Sequence, residues 1–333
     1  MATAFEQTPR GGLGHFFRQA VVLGGGTFVA LALFPLTVTV ASAAAIPLAG
    51  LLASSRPREP REFAFLAGSA TLALWWLASV GEPPGQMLRA AALFAGVTFV
   101  VLTLVTRLST VHRALAALTT AAIAVSTLLL VLRSSWQELS WWVQFRIGVA
   151  IRAVIGAVWA GEEAGIAVKM SNPEQVQGWL ELMVKMAGEL YGAIVALTVG
   201  VALYAAAAIF QRVGRQSGGQ PLGRLADFRF SDHIGWVAVL SLAVVLIPKL
   251  VALKMAATNI LVVSAALYAL RGIAVFVFFL EVVGGGGFLL SLLIAVIVFV
   301  MLPVVIGGAV VLGVLDTGLD FRRRWMVKPP TGE

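Results

Sequence analysis

The stretch LYGAIVALTVGVALYAAAAIF, residues 190–210, carries no charged side chain. Its only polar groups are the hydroxyls of Tyr191, Thr198 and Tyr204. Wound as a helix it is about 30 Å long at about 1.5 Å per residue, the thickness of a bilayer's hydrocarbon layer. The pattern recurs in the charge-free runs 20–36, 90–106, 114–132 and 288–315. Of the 333 residues, 59% are apolar and only 12% are charged. About 25% is usual for a water-soluble domain, so this chain has too few charges to cover a wetted surface. The sequence therefore reads as an all-α, polytopic transmembrane helical bundle.

Apolar segments fall at 20–36, 38–53, 63–80, 87–106, 114–132, 184–210, 234–253, 256–281 and 288–315, giving about 8–10 membrane segments. The first two are nearly continuous and break at Pro35, which predicts a tight hairpin. The segments form one integral membrane domain over 1–333, bounded by a cytoplasmic N-terminus, 1–18. Basic loops are retained on the cytoplasmic side. That rule places SSRPREPRE (54–62), RLSTVHR (107–113) and the loop 211–232 inside, and GEPPGQ (81–86) outside. Region 134–183 mixes Trp136, Trp141, Trp142 and Trp159 with Arg146, Arg152, Glu162 and Glu163. It reads as amphipathic helix lying in the interface, where tryptophan is favoured.

Orientation raises one conflict. Counting every segment as a crossing puts the basic tail, 317–333, outside. Either Pro303, Gly307 and Gly308 break 288–315 so that it turns back, the preferred reading, or 141–160 crosses as well.

The net charge of +8 collects at segment ends, as membrane orientation requires. No basic, aromatic-interleaved soluble module is present, so nucleic acid is not an expected partner. Without cysteine there are no disulfides, thiolate metal sites or thiol nucleophiles. His15, His112 and His233 are widely separated and lack metal-binding spacing. Glu162 and Glu163, as neighbours, point in different directions on a helix. GGGG at 284–287 lacks the setting of a phosphate-binding loop. The sequence thus predicts no catalytic residues, metal or cofactor, and a protein that is not an enzyme.

Charges at membrane depth are more informative. Arg271 stands about 13 Å from the end of its apolar segment, where insertion costs about 2.5–3.5 kcal/mol. Ser264, Tyr268 and Arg271 share one helical stripe. Two readings stand: the stripe binds a small solute, or Arg271 is tied internally to Glu281, Asp316 or Asp320. Asp316 and Asp320 lie one turn apart and repel unless a cation faces them. Arg322, Arg323, Arg324 and Trp325 read as an interfacial anchor. Ala41 and Ala45 make a small-xxx-small pair, a face on which helices approach closely; it suits internal packing or the docking of another membrane subunit.

The stretch NILVVSAALYALRGIAVFVFFL (259–280), the proline-bearing span after it, GVLDTGLDFRRR (313–324) and the arginine-rich loop 54–62 resemble the YybS-like family of predicted bacterial membrane proteins. That family is distantly similar to the substrate-binding subunits of energy-coupling-factor transporters, six-helix bundles that bind a vitamin and dock on a coupling subunit. The resemblance implies a multi-pass protein of the bacterial inner membrane, transporter-like and solute-binding. It implies as partners the lipid bilayer, a small solute, and another membrane subunit or a second copy. The opposing expectation is a membrane scaffold or assembly factor that binds other membrane proteins and transports nothing.

Overall fold

The computed structural model describes residues 37–160, 173–213, 224–282 and 302–322. Apart from short connections they are helical, with no strand among them. The helices are α1 (Thr37–Ser55), α2 (Pro60–Ala78), α3 (Pro83–Val105), α4 (Thr110–Val131), α5 (Trp136–Ala160), α6 (Pro173–Glu189), α7 (Tyr191–Val213), α8 (His233–Leu246), α9 (Val251–Val282) and α10 (Leu302–Leu319). Among the described residues, five stretches are long and apolar enough to cross a membrane: α1, α3, α4, α7 and Leu253–Phe279 within α9. The protein is a polytopic helical bundle.

Proline and charge account for the boundaries. Pro60 and Pro83 start α2 and α3 at first-turn positions, where the missing amide N–H costs nothing. Ser109 caps α4 by accepting from the His112 amide, satisfying a donor the helix itself leaves open.

Several segments differ from the sequence reading. Segment 63–80 lies in α2, which starts at Pro60 and so takes in Arg61 and Glu62; α2 is not among the five spans. Segment 234–253 divides at Ile247–Leu250, around Pro248, leaving α8 with 14 residues. At about 21 Å, α8 is too short to cross alone. The chain then enters α9 at Val251 and runs 32 residues. Helix α10 passes unbroken through Gly307 and Gly308 and carries Asp316 in its last turn. Segment 20–36, the Pro35 break, residues 288–301, residues 1–18 and the tail beyond 322 lie outside the described residues.

The core is made by α1, α3, α4 and α7. Ala43, Leu51, Leu52, Ala95, Phe99, Ala117, Leu203 and Ala206 are buried there. Half of these side chains are alanine, because lipid gives apolar helices little reason to associate except close packing. A Cβ on Gly96 would stand 2.9 Å from Ile46, and one on Gly50 2.9 Å from Val100. These paired contacts run in the same direction along both helices, so α1 and α3 are parallel. Leu74, Val105, Leu130 and Val131 stay largely exposed, which is the expected outer surface where hydrocarbon is the solvent.

Region 134–183 forms α5 and α6 up to an intervening stretch, 161–172, outside the described residues. The two helices pack on each other, with Gly188 against Gln144. Trp141 stacks on Phe145 at 5.6 Å, and Arg146 pairs with Glu82 at the start of α3. The Tyr191 hydroxyl donates to the Pro84 carbonyl at 2.5 Å, bringing the start of α7 to that end of the bundle.

Asn259 of α9 joins the third group of helices to the core. Its Oδ1 accepts from the Ala193 amide at 2.6 Å, and its Nδ2 donates to Glu189 O at 2.8 Å and Met255 O at 2.7 Å. One side chain thus serves an open amide at the start of α7 and a carbonyl at the end of α6. At about 0.5–1.5 kcal/mol per hydrogen bond, Asn259→Leu should cost about 2–3 kcal/mol. The check is the midpoint of detergent-induced unfolding; a midpoint equal to wild type would contradict the role.

Candidate functional site: a buried charge cluster at a helix junction

Helices α8 and α10 pack on different stretches of α9. Beside Gly272 lies Ala309, and beside Gly313 lies Tyr268, so α10 runs antiparallel to the later part of α9. Helix α8 returns along the earlier part, with Gly235 against the Tyr268 hydroxyl. The start of α8 and the end of α10 therefore meet near the middle of α9, about 18 Å beyond Asn259. Helix ends packed against the middle of another helix have open backbone groups that need partners. Charged side chains fill that need here.

Asp316, 0% exposed, is the centre. Its Oδ2 accepts from Arg271 Nε at 2.9 Å and from Arg322 Nη2 at 2.8 Å. Arg271 Nη2 also donates to the Asp316 carbonyl at 3.3 Å. This places a cation at the C-terminus of α10, where the helix dipole is negative. Arg322 Nη1 donates to Ala226 O at 2.7 Å and Phe228 O at 3.1 Å, tying down the short 3-10 turn Leu225–Asp227. Phe230 lies under Arg271, 5.4 Å from its guanidinium carbon, and meets Tyr268 edge to face at 5.2 Å. Asp316 Oδ1 and Arg322 Nε are buried with no hydrogen-bond partner among the described residues.

Two further carboxylates stand at the rim. Asp232 Oδ1 accepts from Arg271 Nη1 at 3.1 Å, although its own side chain is 72% exposed. Arg229 lies 2.9 Å from Asp320 Oδ1, an ion pair without the alignment of a hydrogen bond. Asp320 takes a left-handed φ of 44° just past the end of α10, a helix-ending conformation that Asp tolerates better than most residues.

Ser264, Tyr268 and Arg271 all lie on the buried stripe of α9. Of the anticipated counter-ions, the structure brings Asp316 to Arg271, while Asp320 faces Arg229; the side chain of Glu281 is outside the described residues. Arg322, read as part of an anchor, is 2% exposed and turned inward, whereas Arg323, Arg324 and Trp325 lie outside the described residues. Asp232 and Arg229 were not anticipated. Nothing in their spacing points to Arg271 or Asp320, since both act across helices.

Ala41 is exposed and Ala45 buried; both line an open, apolar groove of about 760 Å³ between α1, α2 and α7, with Gly68, Ser69 and Ala205 opposite. Among the described residues no group of three or more His, Asp or Glu side chains gathers in metal-binding geometry.

No curated protein and no solved structure matches the chain. One family model, described as predicted membrane protein (DUF2232), matches residues 27–317, a range that includes Asp232, Arg271 and Asp316. The chain, a multi-helix membrane protein with Arg271, Asp316 and Arg322 buried together at a helix junction, belongs to that family.

Proposed function

We propose that the protein is a non-enzymatic, solute-binding subunit of the bacterial inner membrane, transporter-like in its bundle, with its site at the Arg271 junction. The observation that carries this reading is the placing of Arg271, Arg322 and Asp316 where the start of α8 and the end of α10 meet against the middle of α9. Transporters often form binding sites from interrupted helices, because only such breaks bring backbone dipoles and charges together at membrane depth. Burying two guanidiniums in hydrocarbon is expensive, and a site that handles charge gives that expense a use. The resemblance of 259–280 and 313–324 to the YybS-like family, read from the sequence, points the same way.

The groove lined by Ala41 and Ala45 favours a second reading, in which the protein is a scaffold that seats another membrane protein on α1, α2 and α7. Native mass spectrometry of protein extracted in mild detergent separates the two. The solute-binding reading expects a small molecule that is retained by wild type and lost from Arg271→Lys, with the variant's elution profile unchanged. A stoichiometric membrane protein without any small molecule would favour the scaffold and overturn the solute site.

A further inference from the structure

We propose that Arg271 is an exchangeable carboxylate site: Asp232 occupies it in the empty protein, and a carboxylate-bearing solute displaces Asp232 when it binds. The proposal rests on the solute-binding reading and names the chemistry of the solute.

The two carboxylates on Arg271 are held very differently. Asp316 is fully buried and engaged by both Arg271 and Arg322. Asp232 makes one contact, to Nη1 at 3.1 Å, from a side chain that is mostly exposed. Asp316 is the fixed side of the site and Asp232 its solvent side. An incoming anion therefore meets Asp232 first and competes with it alone.

Asp232 is also free to leave. It is the N-cap residue of α8, yet its side chain makes no capping hydrogen bond. The first-turn amides are served instead by the Ser231 hydroxyl, the Ser231 carbonyl and the Asp232 carbonyl, so the Asp232 carboxylate has no structural duty in the helix. Released from Arg271, the carboxylate is solvated where it stands, because its side chain is already mostly exposed.

Charge and shape narrow the ligand. The guanidiniums of Arg229, Arg271 and Arg322 face the carboxylates of Asp232, Asp316 and Asp320, a balanced set. Withdrawing Asp232 leaves Arg271 one negative charge short, and a single carboxylate restores the balance. The guanidinium fork matches a planar carboxylate better than any neutral group. Phe230 and Tyr268 wall the site on one side, which suits a solute with an apolar body. The Tyr268 hydroxyl, resting on Gly235, is a second donor for it.

The test uses the full-length protein in dodecyl maltoside, with potassium acetate and potassium benzoate as probes and potassium chloride holding ionic strength constant. Apparent affinity is read from the shift of the thermal melting midpoint. Asp232→Asn removes the internal competitor while keeping a residue equally suited to the N-cap; Asp232→Ser is the second variant should the first fold poorly. Both should bind the probes about tenfold more tightly than wild type, benzoate ahead of acetate, and adding Arg271→Lys should abolish the gain. Equal affinities for wild type and both Asp232 variants, or an equal response to chloride, would overturn the exchange. So would a gain that appears only in nanodiscs of phosphatidylglycerol over phosphatidylcholine, since the site would then take lipid phosphate. If wild type retains an Arg271-dependent solute but the Asp232 variants gain nothing, the exchange fails and the solute-binding reading stands. If no solute is retained and no probe binds, both fail.

Discussion

Asp316→Ala should destabilise the protein by about 3–5 kcal/mol, the largest loss from any single change in the charge cluster. The substitution removes the one carboxylate oxygen shared by Arg271 and Arg322. It leaves two buried guanidiniums, 5% and 2% exposed, of which Arg322 loses its carboxylate partner altogether and Arg271 keeps only the rim carboxylate of Asp232. Arg271→Ala or Arg322→Ala should cost less, since either leaves Asp316 one remaining cation. The ordering distinguishes a shared central anion from two independent pairs, which would give similar losses throughout. A triple change, Arg271→Met with Asp316→Leu and Arg322→Met, should recover most of the stability lost by Asp316→Ala, because apolar side chains of similar volume need no partner. The midpoint of detergent-induced unfolding of each purified variant is the measurement. A triple variant no more stable than Asp316→Ala would show that the cluster's hydrogen bonds to Ala226 O, Phe228 O and the end of α10 outweigh its charge pairing.

Much of this architecture is legible in the sequence because hydrocarbon imposes simple rules. A run free of charge from 190 to 210 has few fates other than a buried helix, and α7 covers it. Arg271 announces its need for a partner by its depth alone, and Asp316 by standing beside a like charge. What is not legible depends on direction in space. Arg322 lies six residues from Asp316, a spacing that would put it on another face of a continuing helix. The chain instead turns at Asp320 through a left-handed backbone, folding Arg322 back over the helix end. Asp232 is separated from Arg271 by the whole of α8 and the turn at Pro248, and only the antiparallel return of α9 brings them together. The start of α2 is not legible from hydropathy for a related reason. Hydropathy marks where apolar residues begin, whereas Pro60 fixes where the helix begins, three residues earlier than the apolar run.

The same directional dependence makes two glycines decisive. A Cβ on Gly272 would fall on the carbonyl of Ala309, and one on Gly313 on the carbonyl of Tyr268. Both obstacles are backbone, so no side-chain rotation relieves them. Helices α9 and α10 touch through these bare backbones, the arrangement by which small residues allow close approach in a membrane. Gly272→Val or Gly313→Val should force the helices apart, with an overpacking cost of about 1–3 kcal/mol or more. The separation also draws Asp316 away from Arg271, because the ion pair bridges the same two helices, so charge and packing should fail together. Gly307 and Gly308 supply the contrast on the same helix, since nothing lies within 4 Å of an added Cβ at either position. Gly307→Ala and Gly308→Ala should stabilise α10 by about 0.5–1 kcal/mol each through the better helix propensity of alanine. Unfolding midpoints of the four variants check the claim. Equal losses at all four positions would mean that α10 needs glycine for flexibility along its length, whereas losses confined to 272 and 313 identify a contact that places Asp316 on Arg271.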